Sequence, residues 1–320
     1  MSLKQNILAL LEANRDADLS GQALAERFGV SRSAVWKAIT ALREDGHEIG
    51  SAPNRGYRLS AASDRLSEAS IAAFAALPGL TIHRFDALDS TNNEAKRRLA
   101  SGEPEPFLVV AEEQTAGRGR RGRSFFSPKG AGLYMTLALP PAAAQKGALS
   151  LTAYAAVCVA EALATLTGVQ ARIKWVNDLF LQNRKICGIL TEAVTDIETG
   201  DIEALLVGVG INLRPSAVPE ALSEVIGFVG DPQPLKNRLA ADITRLLLQG
   251  GDTRAGAMDR YRSRCLTLGR RVQCEQGGER FTGTATDIAA DGGLVVTCAD
   301  GSVRTLRSGE ALLLPPDATA

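Results

Sequence analysis

Between Gly117 and Ser127 the chain reads Gly-Arg-Gly-Arg-Arg-Gly-Arg-Ser-Phe-Phe-Ser, a stretch that can become neither helix nor strand. Each interior glycine costs a helix about 1 kcal/mol against alanine, and the apolar alternation of a strand is missing. Arg118, Arg120, Arg121 and Arg123 fall within six residues with no acid among them. The segment is therefore a loop presenting guanidinium and backbone N–H groups, and it suits a polyanion. Regular structure must lie on either side of it. The formal net charge is zero, from 36 basic and 36 acidic residues. Bulk charge thus argues for neither nucleic acid nor membrane, and any anion site is local.

At 320 residues the chain is long enough for two or three domains. Its five cysteines (Cys158, Cys187, Cys265, Cys274 and Cys298) are scattered without a Cys-x-x-Cys pair, so neither a zinc site nor a disulfide framework is indicated. The N-terminus lacks the layout of a signal peptide, and no run of 18 apolar residues is expected to cross a membrane. A cytoplasmic location is expected.

The first sixty residues read as three short helices and a hairpin. Ser2 to Glu12 is amphipathic, with Ile7, Leu8 and Leu11 on one face. Ser20 suits the N-cap of a second helix, Gly21 to Arg27, and Ser31 that of a third, Arg32 to Glu44. Two helices joined through a Gly-containing turn are the helix-turn-helix pattern, whose second helix enters the DNA major groove. On that helix Val35, Ala38, Ile39 and Leu42 point inward, while Arg32, Ser33, Trp36, Lys37, Thr40 and Arg43 point out beside Ser31. Two short strands then flank Pro53-Asn54-Arg55-Gly56, a wing with Arg55 at its tip for a phosphate. The segment holds 8 basic and 7 acidic residues, but its recognition face and wing are basic. A three-helix interaction module that never touches DNA is the rival reading. Trp36 has three: a dimer contact, a base contact, or a contact with the wing.

Ala61 to Ser70 is small and polar, the best linker candidate, leading to a helix over Glu68–Leu77. From Leu80 strands alternate with helices: Thr81–Phe85, a helix from Ser90 or Thr91 to Ala100, Phe107–Glu112, Gly132–Leu139, a long helix Leu149–Thr167, and short strands about Lys174–Asp178. Lys185–Glu192 and Ala204–Leu213 follow as strands, then helices Leu235–Leu248 and Arg254–Cys265. Residues 270–314 read as short strands with hairpin turns at Asp291-Gly292-Gly293 and Asp300-Gly301-Ser302. The helix N-terminus at Ser90 either holds a polar or anionic ligand on its free N–H groups or is simply capped.

Five motifs occur in order: Asp89-Ser-Thr-Asn92, Gln114-Thr-x-Gly-Arg-Gly-Arg-Arg-Gly-Arg123, Lys174-Trp-x-Asn-Asp178, Arg184-Lys-x-x-Gly-Ile-Leu190 and Gly208-x-Gly-Ile-Asn212. Together they resemble the biotin protein ligase family, and with the helix-turn-helix the whole chain resembles its bifunctional members, which also repress biotin synthesis genes. The resemblance implies an α+β chain of three parts: a winged helix-turn-helix over 1–62, a mixed α/β ligase domain over 63–267 and a small SH3-like β-barrel over 268–320. It implies two steps: biotin and ATP give biotinyl-5′-AMP and pyrophosphate, and a lysine of a biotin carboxyl carrier protein then takes the biotin. Operator DNA is the other implied partner, with biotinyl-5′-AMP as corepressor, and a homodimer is expected in the adenylate-bound state.

Carried onto this chain, the resemblance places Lys185 on both the biotin carboxylate and the α-phosphate. Arg118 and Arg120, with Gly117 and Gly119, close over the adenylate. Ser90, Thr91, Asn92 and Gln114 hydrogen-bond biotin, and Gly188 permits its close approach. Asn177 and Asp178 position ATP and Mg²⁺, while Arg121, Phe125, Asn212 and Arg307 are further nucleotide contacts. Lys185, Arg118 and Asp178 are the catalytic candidates, with Asp178 also the candidate for the proton of the second step. Lys174, Arg121 and Arg123 read equally as plain charged residues, and Cys187 as a small buried filler. Phe125 stands where relatives often carry Trp, and Val176 where Pro is common; the first predicts weaker nucleotide stacking and the second a relaxed turn. A loop that closes over an adenylate and opens for a carrier is expected to lack a fixed course without ligand. Three alternatives remain: a DNA-binding protein whose arginine loop grips phosphate, a lipoate ligase, and a ligase without operator binding.

Overall fold

A computed structural model describes the chain except residues 1, 16, 53–54, 61–62, 145–146, 197, 231–234, 251–255 and 316–320. Helix α1 (Leu3–Ala13) opens with a capping box: the Ser2 hydroxyl accepts from Gln5 N–H, and the Gln5 side chain accepts from Ser2 N–H. Ser20 and Ser31 cap α2 (Gly21–Phe28) and α3 (Arg32–Glu44) as expected, each hydroxyl taking the N–H three residues on. Gly29, at φ 64°, ends α2 in the left-handed conformation that glycine adopts without penalty. Strands β1 (Ile49–Ala52) and β2 (Gly56–Leu59) form the antiparallel wing; Pro53 and Asn54 of its turn lie outside the described residues. Ile7, Leu11, Leu24, Val35, Ile39, Leu42 and Leu59 make a core of their own. Each such side chain contributes about 1.5–3 kcal/mol on burial.

The stretch expected as a linker is docked instead. Ser63, Asp64, Leu66 and Ser67 are buried. The Asp64 carboxylate accepts from Leu235 and Lys236 N–H and pairs with Arg214 at 2.9 Å. Polar side chains of helix α7 (Lys236–Leu248) take up backbone groups that would otherwise be stranded there. Asn237 accepts from Ser67 N–H, donates to the Arg65 carbonyl, and also donates to Glu12 of α1. The composition was that of a linker, but burial of these polar groups with full partners makes it an interface.

The central domain holds α4 (Glu68–Ala75), α5 (Thr91–Ala100), α6 (Gly147–Thr167), α7 and α8 (Ala257–Arg264) about one mixed sheet. Its strands are β3 (Thr81–Phe85), β4 (Phe107–Ala111), β5 (Gly132–Leu139), β6 (Arg172–Lys174), β7 (Asp178–Leu181), β8 (Arg184–Thr195) and β9 (Ile202–Asn212). The order is β3-β4-β5-β9-β8-β7-β6, with only β3–β4 parallel. Helix α8 begins later than expected, and residues 254–255 lie outside the described part. α6 is long and apolar enough to cross a membrane by length and composition, but most of it is buried in the domain. It packs on α7, α8 and β8.

Side-chain alternation divides the sheet into two different faces. On β5 and β9, Leu133, Met135, Leu137, Leu205, Val207, Val209 and Ile211 enter the core with α6. The intervening residues face the other way: Thr136 and Ala138 on β5, Leu206, Gly208 and Gly210 on β9. That second face is covered by α5 only in part, through Ala95 against Phe107, Val109, Ala138 and Leu206. Where the residues turn small, a hollow remains.

The C-terminal part is a five-stranded antiparallel sheet in the order β13-β12-β11-β10-β14. It comprises β10 (Arg271–Gln276), β11 (Glu279–Ile288), β12 (Leu294–Cys298), β13 (Val303–Leu306) and β14 (Glu310–Leu313). The last strand was not foreseen. Its core is continuous with that of the central domain, and Trp175 joins the two, its indole N–H donating to the Gly292 carbonyl at 2.9 Å.

Candidate active site

Two cavities adjoin on the open face of the sheet. The first is lined by Ser90, Thr91, Asn92, Gln114, Arg118, Gly119, Arg120, Phe125, Asn177, Lys185, Gly188, Gly208 and Gly210, with three aliphatic neighbours. The second shares Gly119, Arg120, Phe125, Asn177 and Lys185 with it and adds Arg121, Arg123, Lys174, Asp178 and residues 309–311 of the C-terminal sheet. All five sequence motifs thus reach one double cavity.

The floor of the first cavity comes from glycines. Gly188 and Gly210 are cross-strand partners on β8 and β9. A Cβ at Gly188 would lie 3.0 Å from the Phe125 ring, and one at Gly208 would overlap the Asn92 amide. Ser90 is 2% exposed and makes no cap hydrogen bond, so its side chain is not serving the helix. The free N–H at the start of α5 goes instead to Gln114: its Oε1 accepts from the N–H and hydroxyl of Thr91, and its Nε2 donates to the Ser127 hydroxyl. Thr136, which sequence reasoning missed, places its hydroxyl 2.8 Å from that of Thr91 and 2.6 Å from Asn92 Oδ1. Asn92 Nδ2 donates to Glu192. The polar wall is therefore a connected and oriented network.

Lys185 owes its direction to a β-bulge. Leu179 and Phe180 of β7 face Cys187 and Lys185 of β8, which leaves Ile186 as an extra residue. Strict alternation would put Lys185 and Gly188, three apart, on opposite faces; the added residue brings them to the same one. Lys185 Nζ lies 2.9 Å from Asp178 and 5.8 Å from the centre of the Phe125 ring. Asp178 also accepts from Asn177 Nδ2 at 3.0 Å. Asn177 is fully engaged, since its Nδ2 donates to the Ile189 carbonyl and its Oδ1 accepts from Arg120. Cys187 is buried, and burial pushes its thiol well above the ordinary range, in keeping with an inert filler.

The arginine loop has a defined course, unlike the expected loop without one. Gly117 and Gly119 carbonyl and N–H groups pair with Phe125 and Arg123, and Arg120–Gly122 forms one 3₁₀ turn. Arg118 reaches Asn93 and Glu192, Arg120 donates to the Gly309 carbonyl, and Arg121 and Arg123 pair with Glu310. Burial would raise the Glu192 carboxyl, but hydrogen bonds from Lys96 and Asn92 outweigh it and hold the group below its usual range. Glu192 and Glu310 were not singled out in the sequence. Glu192 stands two strand positions beyond a motif, and Glu310 is 187 residues from the arginine it meets.

Several expected site residues lie elsewhere. Gly117 is buried under Phe125 and Ser127, where a side chain would collide, and lines neither cavity. Asn212 donates to the Lys185 carbonyl at 3.4 Å and so braces that strand. Arg307 is paired with Asp291 at 2.6 Å and is absent from both cavities. The Trp175–Val176 peptide is cis, and Tyr261 donates to the Val176 carbonyl.

On the N-terminal part, Trp36 is 56% exposed rather than tucked against the wing. Ser31, Arg32, Ser33 and Lys37 are exposed beside it. Three others are engaged: the Thr40 hydroxyl donates to the Trp36 carbonyl, Arg43 to the Ile49 carbonyl, and Arg55 pairs with Asp18, which also holds Arg58.

Residues 85–212 match the family model described as the biotin/lipoate A/B protein ligase family. Residues 4–58 match an HTH domain and residues 267–314 the biotin protein ligase C terminal domain. The chain is 34% identical over 251 residues to the bifunctional ligase/repressor BirA of Bacillus subtilis, covering 77% of each. The chain belongs to the biotin protein ligase family. BirA of Escherichia coli is a further relative, 37% identical over 206 residues, 63% of this chain and 62% of that one. Among solved structures, the biotin protein ligase from Aquifex aeolicus in complex with biotin and ATP superposes with a TM-score of 0.62. It is 25% identical and covers 74% of this chain and 99% of its own. As in other members of the biotin protein ligase family, a ligase domain and a C-terminal domain are joined, here behind a DNA-binding fold.

Proposed function

We infer that this protein is an ATP-dependent biotin ligase that also represses transcription. One observation carries the enzymatic reading: the double cavity puts Lys185 and Arg120 at the junction between a small, hydrogen-bonding compartment and a cationic one. Biotin, neutral except for its carboxylate, suits the first; a nucleotide suits the second. The first step joins one anion to another. A carboxylate is already ionised at neutral pH, so no base is needed, and cations aimed at the developing charge are the main catalytic tool. Lys185, Arg118 and Arg120 supply them, and Ser90, Thr91, Asn92 and Gln114 orient the ring.

A carboxylate oxygen of biotin bonds to the α-phosphorus of ATP, and the bond from that phosphorus to the bridging oxygen breaks with release of pyrophosphate. In the second step a lysine amine of a biotin carboxyl carrier protein bonds to the acyl carbon, AMP departs, and the amine loses a proton. Asp178, 2.9 Å from Lys185, is the nearest carboxylate to take it. No cluster of three metal-ligating side chains occurs among the described residues. Asp178 with phosphate oxygens and water fits Mg²⁺, which commonly binds through one or two carboxylates plus phosphates. Bound there, Mg²⁺ would offset phosphate charge.

Exposed Arg32, Ser33, Trp36 and Lys37 support an operator-binding face. The units 1–62, 63–267 and 268–320, a homodimer in the adenylate-bound state and a cytoplasmic location belong to the same proposal. The test is transfer of labelled biotin from biotin and ATP to a carrier domain. Wild type labels the carrier, and Lys185→Ala falls by about 10²–10³, the loss typical of one charge-stabilising donor. Equal labelling by the variant overturns the assignment, and preferential use of lipoate overturns the substrate.

A further inference from the structure

Most cations of this neutral chain lie against a carboxylate. Among the described residues, three of those without an ion pair or side-chain hydrogen bond (Arg27, Arg32 and Lys37) sit on the helix-turn-helix. Lys129 and Arg264 line none of the cavities described. The remaining three, Arg172, Lys174 and Arg270, line one groove between the β6–β7 hairpin and the C-terminal sheet. Lys174 Nζ lies 5.8 Å from the centre of the Phe180 ring, and its charge also helps to hold the Glu310 carboxyl below its usual range, after the hydrogen bond from Arg123.

The groove adjoins the double cavity at Lys174, which lines both. The register shows how. Gly210, Gly188, Asp178 and Lys174 are successive cross-strand partners on β9, β8, β7 and β6. Such partners project to the same face, one strand spacing of about 4.8 Å apart. A line drawn across the sheet therefore starts under Phe125, passes the Asp178–Lys185 pair, and reaches Lys174 about 10 Å beyond Gly188. Arg172, two residues back along β6, projects to the same side.

We propose that Lys174, Arg172 and Arg270 hold the β- and γ-phosphates of the nucleotide and then the departing pyrophosphate. The proposal rests on the ligase reading above. When the α-phosphorus exchanges its bridging oxygen for the biotin carboxylate, the electron pair of the broken bond stays on the pyrophosphate. That charge appears on the side of the α-phosphate away from biotin, the side on which these cations stand. Arg172 and Arg270 are exposed and Lys174 is half-buried, so salt screens the two arginines over a Debye length of about 8 Å and the effect is salt-sensitive. An acidic surface of the carrier protein is the competing occupant, and the two steps separate them, since only the first involves pyrophosphate.

The experiment uses the full chain. Biotin-dependent ATP–pyrophosphate exchange is measured beside single-turnover transfer from preformed biotinyl-5′-AMP to a carrier domain. In Lys174→Ala and in Arg172→Ala/Arg270→Ala, the KM for pyrophosphate rises tenfold or more, while transfer falls by less than a third of that factor. Lys174→Arg retains most of the exchange. Loss of transfer with exchange spared assigns the groove to the carrier, and variants equal to wild type in both assays make these cations ordinary solvated charges; either result overturns the proposal. Wild type that forms no adenylate fails at the first measurement, before any variant is compared, and removes the ligase reading itself.

Discussion

The Phe125 ring lies on Gly210, so closely that a methyl group added at 210 would overlap its edge. The same ring borders both cavities, so it forms the partition between them. Strand β9 is held by β5 on one side and β8 on the other and cannot retreat. Gly210→Ala therefore displaces the ring into one compartment. Steady-state exchange should show KM for biotin and for ATP both raised, by about tenfold for 1.4 kcal/mol of lost binding. The melting temperature should hardly change, because a half-exposed side chain moves rather than the backbone. A KM effect confined to one substrate would contradict the partition.

Lys236 and Glu112 form an ion pair at 2.5 Å with both side chains at least nine-tenths buried. The Glu112 carboxylate also accepts from Leu66 N–H. Removing one partner strands the other charge, at a cost of about 3–5 kcal/mol. Lys236→Met should lower the urea midpoint accordingly. Replacing both residues by apolar ones of similar size should restore part of the loss, and a double-mutant cycle measures the coupling.

His47 lies in a cleft between the N-terminal and central domains, near Lys4, Asp45, Arg65 and Arg84. Burial first, and then the charge of Arg65, lower its pKa from 6.5 to about 4. Between those values the unfolded chain binds more protons than the folded one, so stability rises with pH across the window and is flat above it. The span corresponds to at most about 3 kcal/mol. Denaturation at pH 5 and pH 7 should show the difference, and His47→Gln should flatten it. An unchanged slope would place its origin in other groups.

Arg32 and Lys37 are exposed without acidic partners, whereas Arg55 is held by Asp18 at 2.9 Å. Each phosphate contact contributes roughly 0.9 to the slope of log K against log salt. Gel shifts with operator DNA and adenylate should show that slope fall by about 1 in Arg32→Ala or Lys37→Ala and by less in Arg55→Ala. Equal losses for all three would mean that the wing exchanges Asp18 for phosphate.

Local signals made much of the fold legible. Ser20 and Ser31 cap the helices they were expected to cap, and strand Gly132–Leu139 has the bounds its apolar run predicts. Turn chemistry likewise marked the strand ends at Asp291 and Asp300. The double cavity was legible because its residues cluster in short motifs. What the sequence hid depends on contacts far apart in the chain. Residues 63–67 read as a linker until α7 supplied their partners. Glu310 carried no motif, and its use follows only from β14 pairing with β10 beside the arginine loop. Lys185 was found by motif, but the bulge that aims it cannot be read from residue types alone. Asn212 and Arg307 followed the family pattern, and here each side chain is engaged away from both cavities.

The junction of the arginine loop with residues 309–311 bears on how the molecule comes into being. Every residue lining the first cavity lies between Ser90 and Gly210, whereas the second cavity has a wall that begins at Gly309. A ribosome therefore completes the lining of the first cavity about a hundred residues before it can close the second. Until Gly309 and Glu310 have emerged, Arg123 lacks its carboxylate, and Arg120 and Arg121 keep only Asn177 and Glu275. The helix-turn-helix is thus the first part of the molecule to be made, and the outer wall of the candidate site the last.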